Sequence, residues 1–370
     1  MSLAISIDRR LPIPVGKQLK TAILAYIRQT GLPDGAALPS VQRIAEAAGV
    51  SLRTADLALQ ELVSDGYCFR RPKRGTFVGA RSVSQVKSLC GLWEEYSPED
   101  SNIDLTGLSI QRGLTYQMRH SETETYMRML DPAKDIPFYA GIPSFDFRGM
   151  LVYGNRLFLP MLELAKRFPQ HRFVFLNNQM AELNHTPDNV RAVVNDDEGG
   201  AYALLERYIA RGVRSVAVAT WPLKPSDLTY EIRIQGFQKA ASEYGLEFSQ
   251  ERDLIQCDTV RHGNFQAKFR SSYLAAKRYL QSGRRPDLVA AVNDTIALAF
   301  QKCLEEEGLD GQIQVVGYDC ILGELVRLHG IPSMRVQYPQ MCQCALDMLL
   351  HDFQSAPKVT CIPPVFQTGE

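Results

Sequence analysis

From residue 150 onward, short apolar runs alternate with segments of helical periodicity, and this alternation limits the possible folds more than any other feature of the chain. MLVYG precedes a helical stretch through Leu162 and Leu164, then comes FVFLNN. VRAVVND precedes GGAYALLERYIARG, then SVAVAT; IRIQGFQKAASEYG precedes LIQCD. FQAKFRSSYLAAKRYLQSG precedes LVAAVND, then IALAFQKCLEEEG, then IQVVGYD. Continuous apolar runs are strands buried on both faces. Strands separated by amphipathic helices form parallel sheets covered on each side. The predicted class for this region is therefore α/β with parallel sheets. Ligands in such folds collect at the carboxyl ends of the strands. Those ends carry Asn177-Asn178, Asn195-Asp196, Asn293-Asp294 and Asp319. Turn chemistry also favours Asn and Asp at such positions, so a ligand site and ordinary turns both remain open on pattern alone.

The first 85 residues follow a different plan. Leu19, Ile23, Leu24 and Ile27 fall on one face of a helix spanning PVGKQLKTAILAYIRQT, which the Gly- and Pro-dense GLPDGAALPS must end. Ser40 is placed to cap VQRIAEAAG, with Gly49 as its stop. Ser51 is placed to cap LRTADLALQELVSDG, whose Ala55, Ala58, Leu59 and Leu62 form an inward stripe. YCFR and GTFV then read as a short hairpin with a basic tip, Arg71-Pro72-Lys73-Arg74-Gly75. Helix, tight turn and helix is the geometry that lays the second helix in a DNA major groove.

Charge supports that division. Residues 1–85 hold about 12 Lys+Arg against about 6 Asp+Glu, whereas the whole chain of 370 residues is neutral. The remainder is therefore acidic by about six units, and a basic head on an acidic body suits a polyanion-binding module joined to something else. Enzyme signatures are missing: there is no HExxH, GxSxG, GxxxxGK[ST] or strand-linked GxGxxG. Asp196-Asp197-Glu198 precede Gly199-Gly200 at a helix start, where the helix dipole favours acids without any catalytic role. The eight cysteines and six histidines follow no metal-ligand spacing. No apolar run approaches the ~18 residues of a membrane span, and MSLAISIDRR lacks the long apolar stretch of a signal peptide. We expect no catalytic residues, metal, cofactor or membrane partner, and a cytoplasmic location.

LPSVQRIAEAAGVSLRTADLALQELVSDGY followed by GTFV resembles the winged helix-turn-helix of the GntR family of bacterial regulators. The family's usual Glu-Arg after LPS is Val41-Gln42 here, with Arg43 one step on; the usual Arg after GVS is Leu52, with Arg53 one step on. Asp56 stands where a basic residue is usual and would repel a phosphate. The resemblance implies DNA contacts at Gln42, Arg43, Arg53 and Thr54 on the helices and at Lys73, Arg74 and Gly75 in the wing. Arg53 is the best placed to bond bidentately to guanine, and Lys73 and Arg74 to hold the backbone.

VVNDDEGGAYALLERYIARGVRSVAVAT, RIQGF, PDLVAAVNDTIALAF, VVGYD and IPSMRVQYPQMCQCALDMLL resemble, in that order, the LacI/GalR effector domain, a fold shared with periplasmic sugar-binding proteins. Together the two resemblances match the arabinose-repressor type of architecture. They imply a winged helix over 1–80, a linker over 81–87, and a two-lobed domain over 88–370. Lobe one would take about 88–193 and 337–354, and lobe two about 194–336 and 355–370, with three chain crossings between them. Residues 94–147 match the family pattern poorly. The implied ligand residues are Asn177, Arg233, Asn293, Asp319 and Gln337, with Trp221 and Tyr230 offering an apolar face. The implied function is a repressor that binds operator DNA as a homodimer and responds to a small effector, a carbohydrate. The alternative is a regulator whose second domain has lost its ligand and serves dimerisation.

Overall fold

The computed structural model describes residues 5, 7–9, 14–72, 74–79, 87–94, 105–119, 123–130, 149–224, 227–258 and 265–369. The head consists of helices α1 (Val15–Thr30), α2 (Val41–Ala48) and α3 (Leu52–Ser64), followed by a hairpin of β1 (Cys68–Arg71) and β2 (Gly75–Val78). Its helix limits follow from local chemistry. Ser40 Oγ accepts the backbone N–H of Arg43, and α2 stops at Gly49, whose φ of +61° suits a residue without Cβ. Ser51 Oγ accepts the N–H of Thr54 at the start of α3. Leu19, Ile23, Leu24 and Ile27 meet Ala55, Ala58, Leu59 and Leu62 in one buried cluster, as the two stripes predict.

The body holds two six-stranded sheets, in which parallel βαβ succession produces the layering expected of alternating apolar runs. The first contains β3 (Lys87–Glu94), β4 (Thr123–Leu130), β5 (Gly149–Tyr153), β6 (Phe173–Leu176), β7 (Val190–Asn195) and β13 (Val359–Ile362), in the order β13-β7-β6-β5-β3-β4. The second contains β8 (Val216–Thr220), β9 (Leu254–Gln256), β10 (Leu288–Ala291), β11 (Gln314–Asp319), β12 (Ser333–Arg335) and β14 (Val365–Gln367), in the order β14-β12-β11-β10-β8-β9. All neighbours are parallel except β12 and β14. The covering helices include α4 (Leu105–Arg119), α5 (Asn155–Arg167), α6 (Asp197–Ile209), α7 (Thr229–Glu243), α8 (Phe265–Gln281), α9 (Asp294–Glu306), α10 (Gly323–Leu328) and α11 (Tyr338–Asp347). Strands such as β5, β6 and β8 are buried at every residue, which explains why their sequences show no alternation.

The chain passes between the sheets three times: from β7 into α6, from β12 into α11, and from β13 into β14. Hydrogen bonds lace these crossings, Asp196 N–H donating to Ile362 O at 2.9 Å. The assignment of 355–370 to lobe two is corrected by the strand pairing. Residues 359–362 pair with β7 in the first sheet, and only 365–367 join the second. Two apolar runs separated by Pro363-Pro364 belong to different sheets, because neither proline can donate to a ladder. The poorly matching stretch 94–147 contains α4 and β4; the rest of it, and most of the expected linker, lie outside the described residues. Lys87, at the linker's expected end, already belongs to β3.

Candidate functional site

The carboxyl ends of β7, β10 and β11 bring polar side chains to one place, and Arg233 on α7 is its centre. The guanidinium is buried. Its Nε donates to Asp197 Oδ1 at 2.7 Å and its Nη1 to the carbonyl of Val292 at 2.6 Å. Its Nη2 lies 2.7 Å from Asp319 Oδ1, and its plane sits 3.9 Å from the centre of the Tyr318 ring. A buried charge is tolerable only when it is paired and hydrogen-bonded, and this one is held on several sides. Burial alone would lower the Arg233 pKa, but Asp197 and Asp319 overcome it and keep the group firmly protonated.

The two carboxylates differ. The Asp197 side chain is 1% exposed and the Asp319 side chain 18%. Asp197 accepts further bonds from Asn195 Nδ2 at 2.7 Å and Gln179 Nε2 at 2.9 Å, so it is enclosed by protein. Burial pushes its carboxyl pKa up, opposed by Arg233 and these amides. Asp319 ends its strand at φ +90°, a left-handed conformation that costs a non-glycine residue energy of order 1–3 kcal/mol. The more open carboxylate of the pair is thus also the strained one.

Asn293 caps α9 by accepting the N–H of Ile296 at 3.1 Å, and its Nδ2 reaches the Tyr230 hydroxyl at 3.4 Å. Tyr230 and Trp221 meet edge to face with ring centres 6.0 Å apart. Both line a cavity of about 180 Å³ together with Pro222, Lys224, Asp227, Asp258 and Lys268. On the first sheet, Asn177 directly follows β6 at φ +55° and is half-buried. Its neighbours make the polar contacts: Asn178 Nδ2 donates to Asn155 Oδ1, and Gln179 joins Asp197. Gln337 lies at a crossing, where its Nε2 donates to Pro363 O at 2.9 Å. The structure therefore joins Arg233 to Asp319 directly, sets Asn293 behind Tyr230, and gives Gln337 a bond between two crossings.

Asp197 escaped sequence reasoning. Helix-start chemistry accounts for Asp196, which accepts the Gly199 N–H at 2.9 Å. Glu198 pairs with Lys239. Asp197 is instead the enclosed partner of Arg233. An i,i+1 neighbour faces another way on a helix, so one explanation could not cover all three.

Asp294 is a second buried carboxylate, bonded by Ser333 Oγ at 2.8 Å and Leu322 N–H at 3.1 Å. Burial pushes its pKa up to about 7, and the Asp319 charge adds to the shift. A raised acid pKa means that the folded state holds its proton more tightly than the unfolded state. Its contribution should therefore reduce stability as pH rises from about 4 towards about 7, by up to ~1.4 kcal/mol per pH unit. Urea midpoints across that range should fall more steeply for the native protein than for Asp294→Asn. Parallel profiles would remove Asp294 as the source.

In the head, Gln42, Arg43, Arg53, Arg74 and Gly75 are all exposed, and Lys73 lies outside the described residues. Thr54 is half-buried and its hydroxyl pairs with Ser51 Oγ at 2.8 Å. Gln42 Nε2 donates to Glu46 at 3.2 Å. Gly75 begins the second wing strand at φ +105°. Phe69 and Phe77 stack across the hairpin at 5.6 Å, with Arg71 about 5 Å over both rings. The expected repulsion from Asp56 is offset within the chain: Arg70 of the wing pairs with it at 2.5 Å, and Gln60 donates to it at 2.8 Å.

Comparison with known proteins matches residues 16–78 to the model of bacterial regulatory proteins of the gntR family, and residues 205–366 to a periplasmic binding protein-like domain. The HTH-type transcriptional repressor PurR of Vibrio cholerae serotype O1 (strain M66-2) is 27% identical over 150 residues, which are 40% of this chain and 41% of that repressor. The chain thus spans about two fifths of the length of that curated relative. The arabinose metabolism transcriptional repressor of Geobacillus stearothermophilus is 23% identical over 324 residues, 83% of this chain and 82% of that protein. The solved structure of the transcriptional regulator CelR–cellobiose complex superposes with a TM-score of 0.58 at 16% identity, covering 89% of this chain and 98% of that one. Among the described residues, no helix is long and apolar enough to cross a membrane, and no group of three or more His, Cys, Asp or Glu could hold a metal.

Proposed function

We propose that this chain, a gntR-type winged helix joined to a periplasmic-binding-protein-like domain, is a ligand-responsive transcriptional repressor. One observation carries the reading: a buried arginine is held at the strand ends between an enclosed carboxylate and a more open, strained one. Packing alone does not call for such a cluster, since apolar residues of similar volume often stabilise as well or better. Two carboxylates against one guanidinium leave excess negative charge. That favours a neutral ligand rich in hydroxyl donors over an anion, and a carbohydrate fits. The arabinose repressor and the cellobiose-bound regulator among the relatives point the same way. Asp319 would accept ligand hydroxyls and Arg233 would hold it in place and donate. Asn293 would act through Tyr230, Asn177 from the first sheet, and Gln337 at the hinge. Trp221 and Tyr230 would offer an apolar face to a sugar ring.

The DNA side rests on the winged helix. Gln42, Arg43, Arg53 and Thr54 would face the major groove, with Lys73, Arg74 and Gly75 at a phosphate strand. A cytoplasmic homodimer would present two such heads to a near-palindromic operator. Ligand closes the two lobes and changes the spacing of the heads. It can alter DNA affinity only by as much as its own affinity differs between the two conformations, and DNA acts back on ligand affinity equally.

The test is fluorescence anisotropy of the purified protein on duplex DNA from its own upstream region, with and without a panel of neutral sugars. A tight complex released or strengthened by one sugar supports the reading. Binding that no sugar alters favours a second domain kept for dimerisation. No complex at moderate salt sinks the regulator itself. On the same duplex, Arg53→Ala should weaken specific binding by about 1–3 kcal/mol; an unchanged affinity moves base recognition elsewhere.

A further inference from the structure

Two leucines lie exposed on α3, where a small domain gains nothing from showing them to water. Leu52, the first residue of the helix, is 58% exposed, and Leu57 is 49% exposed. The helix buries its opposite stripe, Ala55, Ala58, Leu59 and Leu62, so neither leucine belongs to the core. Leu52 directly precedes exposed Arg53 at the start of the helix, and Leu57 lies one turn along from that arginine. The acid between them, Asp56, is drawn to Arg70 and Gln60. The exposed start of α3 thus offers an apolar side chain and, next in sequence, a cation, within a head that is basic by about six units.

A cation beside apolar groups suits one partner of a basic head. In the major groove, guanine offers acceptors to arginine, and thymine offers the one apolar group, its C5 methyl. Base edges are reached mainly from the first residues of a recognition helix, which selects Leu52 over Leu57. We infer that Leu52 reads a thymine methyl in each half-site of the operator, next to the base pair contacted by Arg53. This rests on the DNA-binding reading and adds a specificity residue to it. Leucine cannot hold a phosphate, so its contribution should be selective among sequences and insensitive to salt.

Full-length protein should be used to select sites from a random duplex library, and each thymine of the selected site then replaced in turn by uracil, which lacks only the methyl group. For the native protein, one substitution per half-site should weaken binding by about fourfold, the worth of one buried methyl group. Leu52→Ser should bind the thymine and uracil duplexes equally and select sites degenerate at that position. Leu57→Ser should keep the discrimination. Because Leu52 is exposed, the variant's thermal unfolding should match the native protein's. Equal binding of thymine and uracil at every position by the native protein overturns the inference, as does discrimination that persists in Leu52→Ser or vanishes only in Leu57→Ser. Failure to enrich any duplex is a different result, because it removes the DNA-binding reading itself.

Discussion

Arg233→Ala should destabilise the two-sheet domain by about 3–5 kcal/mol, because it leaves Asp197 buried among protein groups with no positive charge beside it. Asp197 is enclosed by Asn195 and Gln179, and neither amide can supply a full charge. The Val292 carbonyl and the Tyr318 ring also lose their partner. Denaturant unfolding of the full chain, followed by a signal from the body, should show the midpoint fall, while the winged helix keeps its own cluster and its own transition. Arg233→Lys should recover only part of the loss, since an ammonium cannot serve three directions in one plane as the guanidinium does. Both variants should lose the response to sugar. A change below about 1 kcal/mol for Arg233→Ala would mean that Asp197 is neutral without its partner, and the ion-pair account would fail.

How far the sequence reached depends on the distance over which each feature is specified. Helix limits in the head were legible because caps act within three residues: Ser40, Gly49 and Ser51 do what their types and positions predict. The parallel sheets were legible because strands buried on both faces must be apolar throughout. Long-range pairing was harder. Residues 359–362 and 365–367 are too short to announce which sheet they join, and that choice is made by β7 and β12, far away in sequence. The site followed the same rule. Resemblance pointed to Arg233 and Asp319, which touch. Asp197 was hidden because an acid in a first helical turn already has a local explanation, and only the approach of α7 reveals the other one. Asp56 likewise has a partner that no local pattern encodes, Arg70 from the hairpin packed against α3.

The two carboxylates on Arg233 should separate stability from sensing. Asp319→Ala leaves Arg233 its enclosed partner Asp197 and the Val292 carbonyl, and it removes a carboxylate that is already partly hydrated. Its cost in folding should be smaller than that of Asp197→Ala, because Arg233 keeps its enclosed partner. Its cost in ligand binding should be large. A carboxylate accepting two hydroxyls contributes about 1.5–3 kcal/mol per bond, so the affinity for sugar should fall by more than about a hundredfold. Asp197→Ala should do the reverse to stability, leaving the deepest side of the guanidinium unpaired and lowering the unfolding midpoint markedly. Calorimetric titration of Asp319→Ala with the sugar that alters DNA binding by the native protein, beside urea melts of both variants, measures the two effects independently. By linkage, a protein that has lost ligand affinity also loses the ligand's effect on DNA binding, so the operator affinity of Asp319→Ala should not change at sugar concentrations that change that of the native protein. If Asp319→Ala unfolds as readily as Asp197→Ala while binding sugar normally, Asp319 is a structural counter-ion, and the ligand must be held by other strand ends.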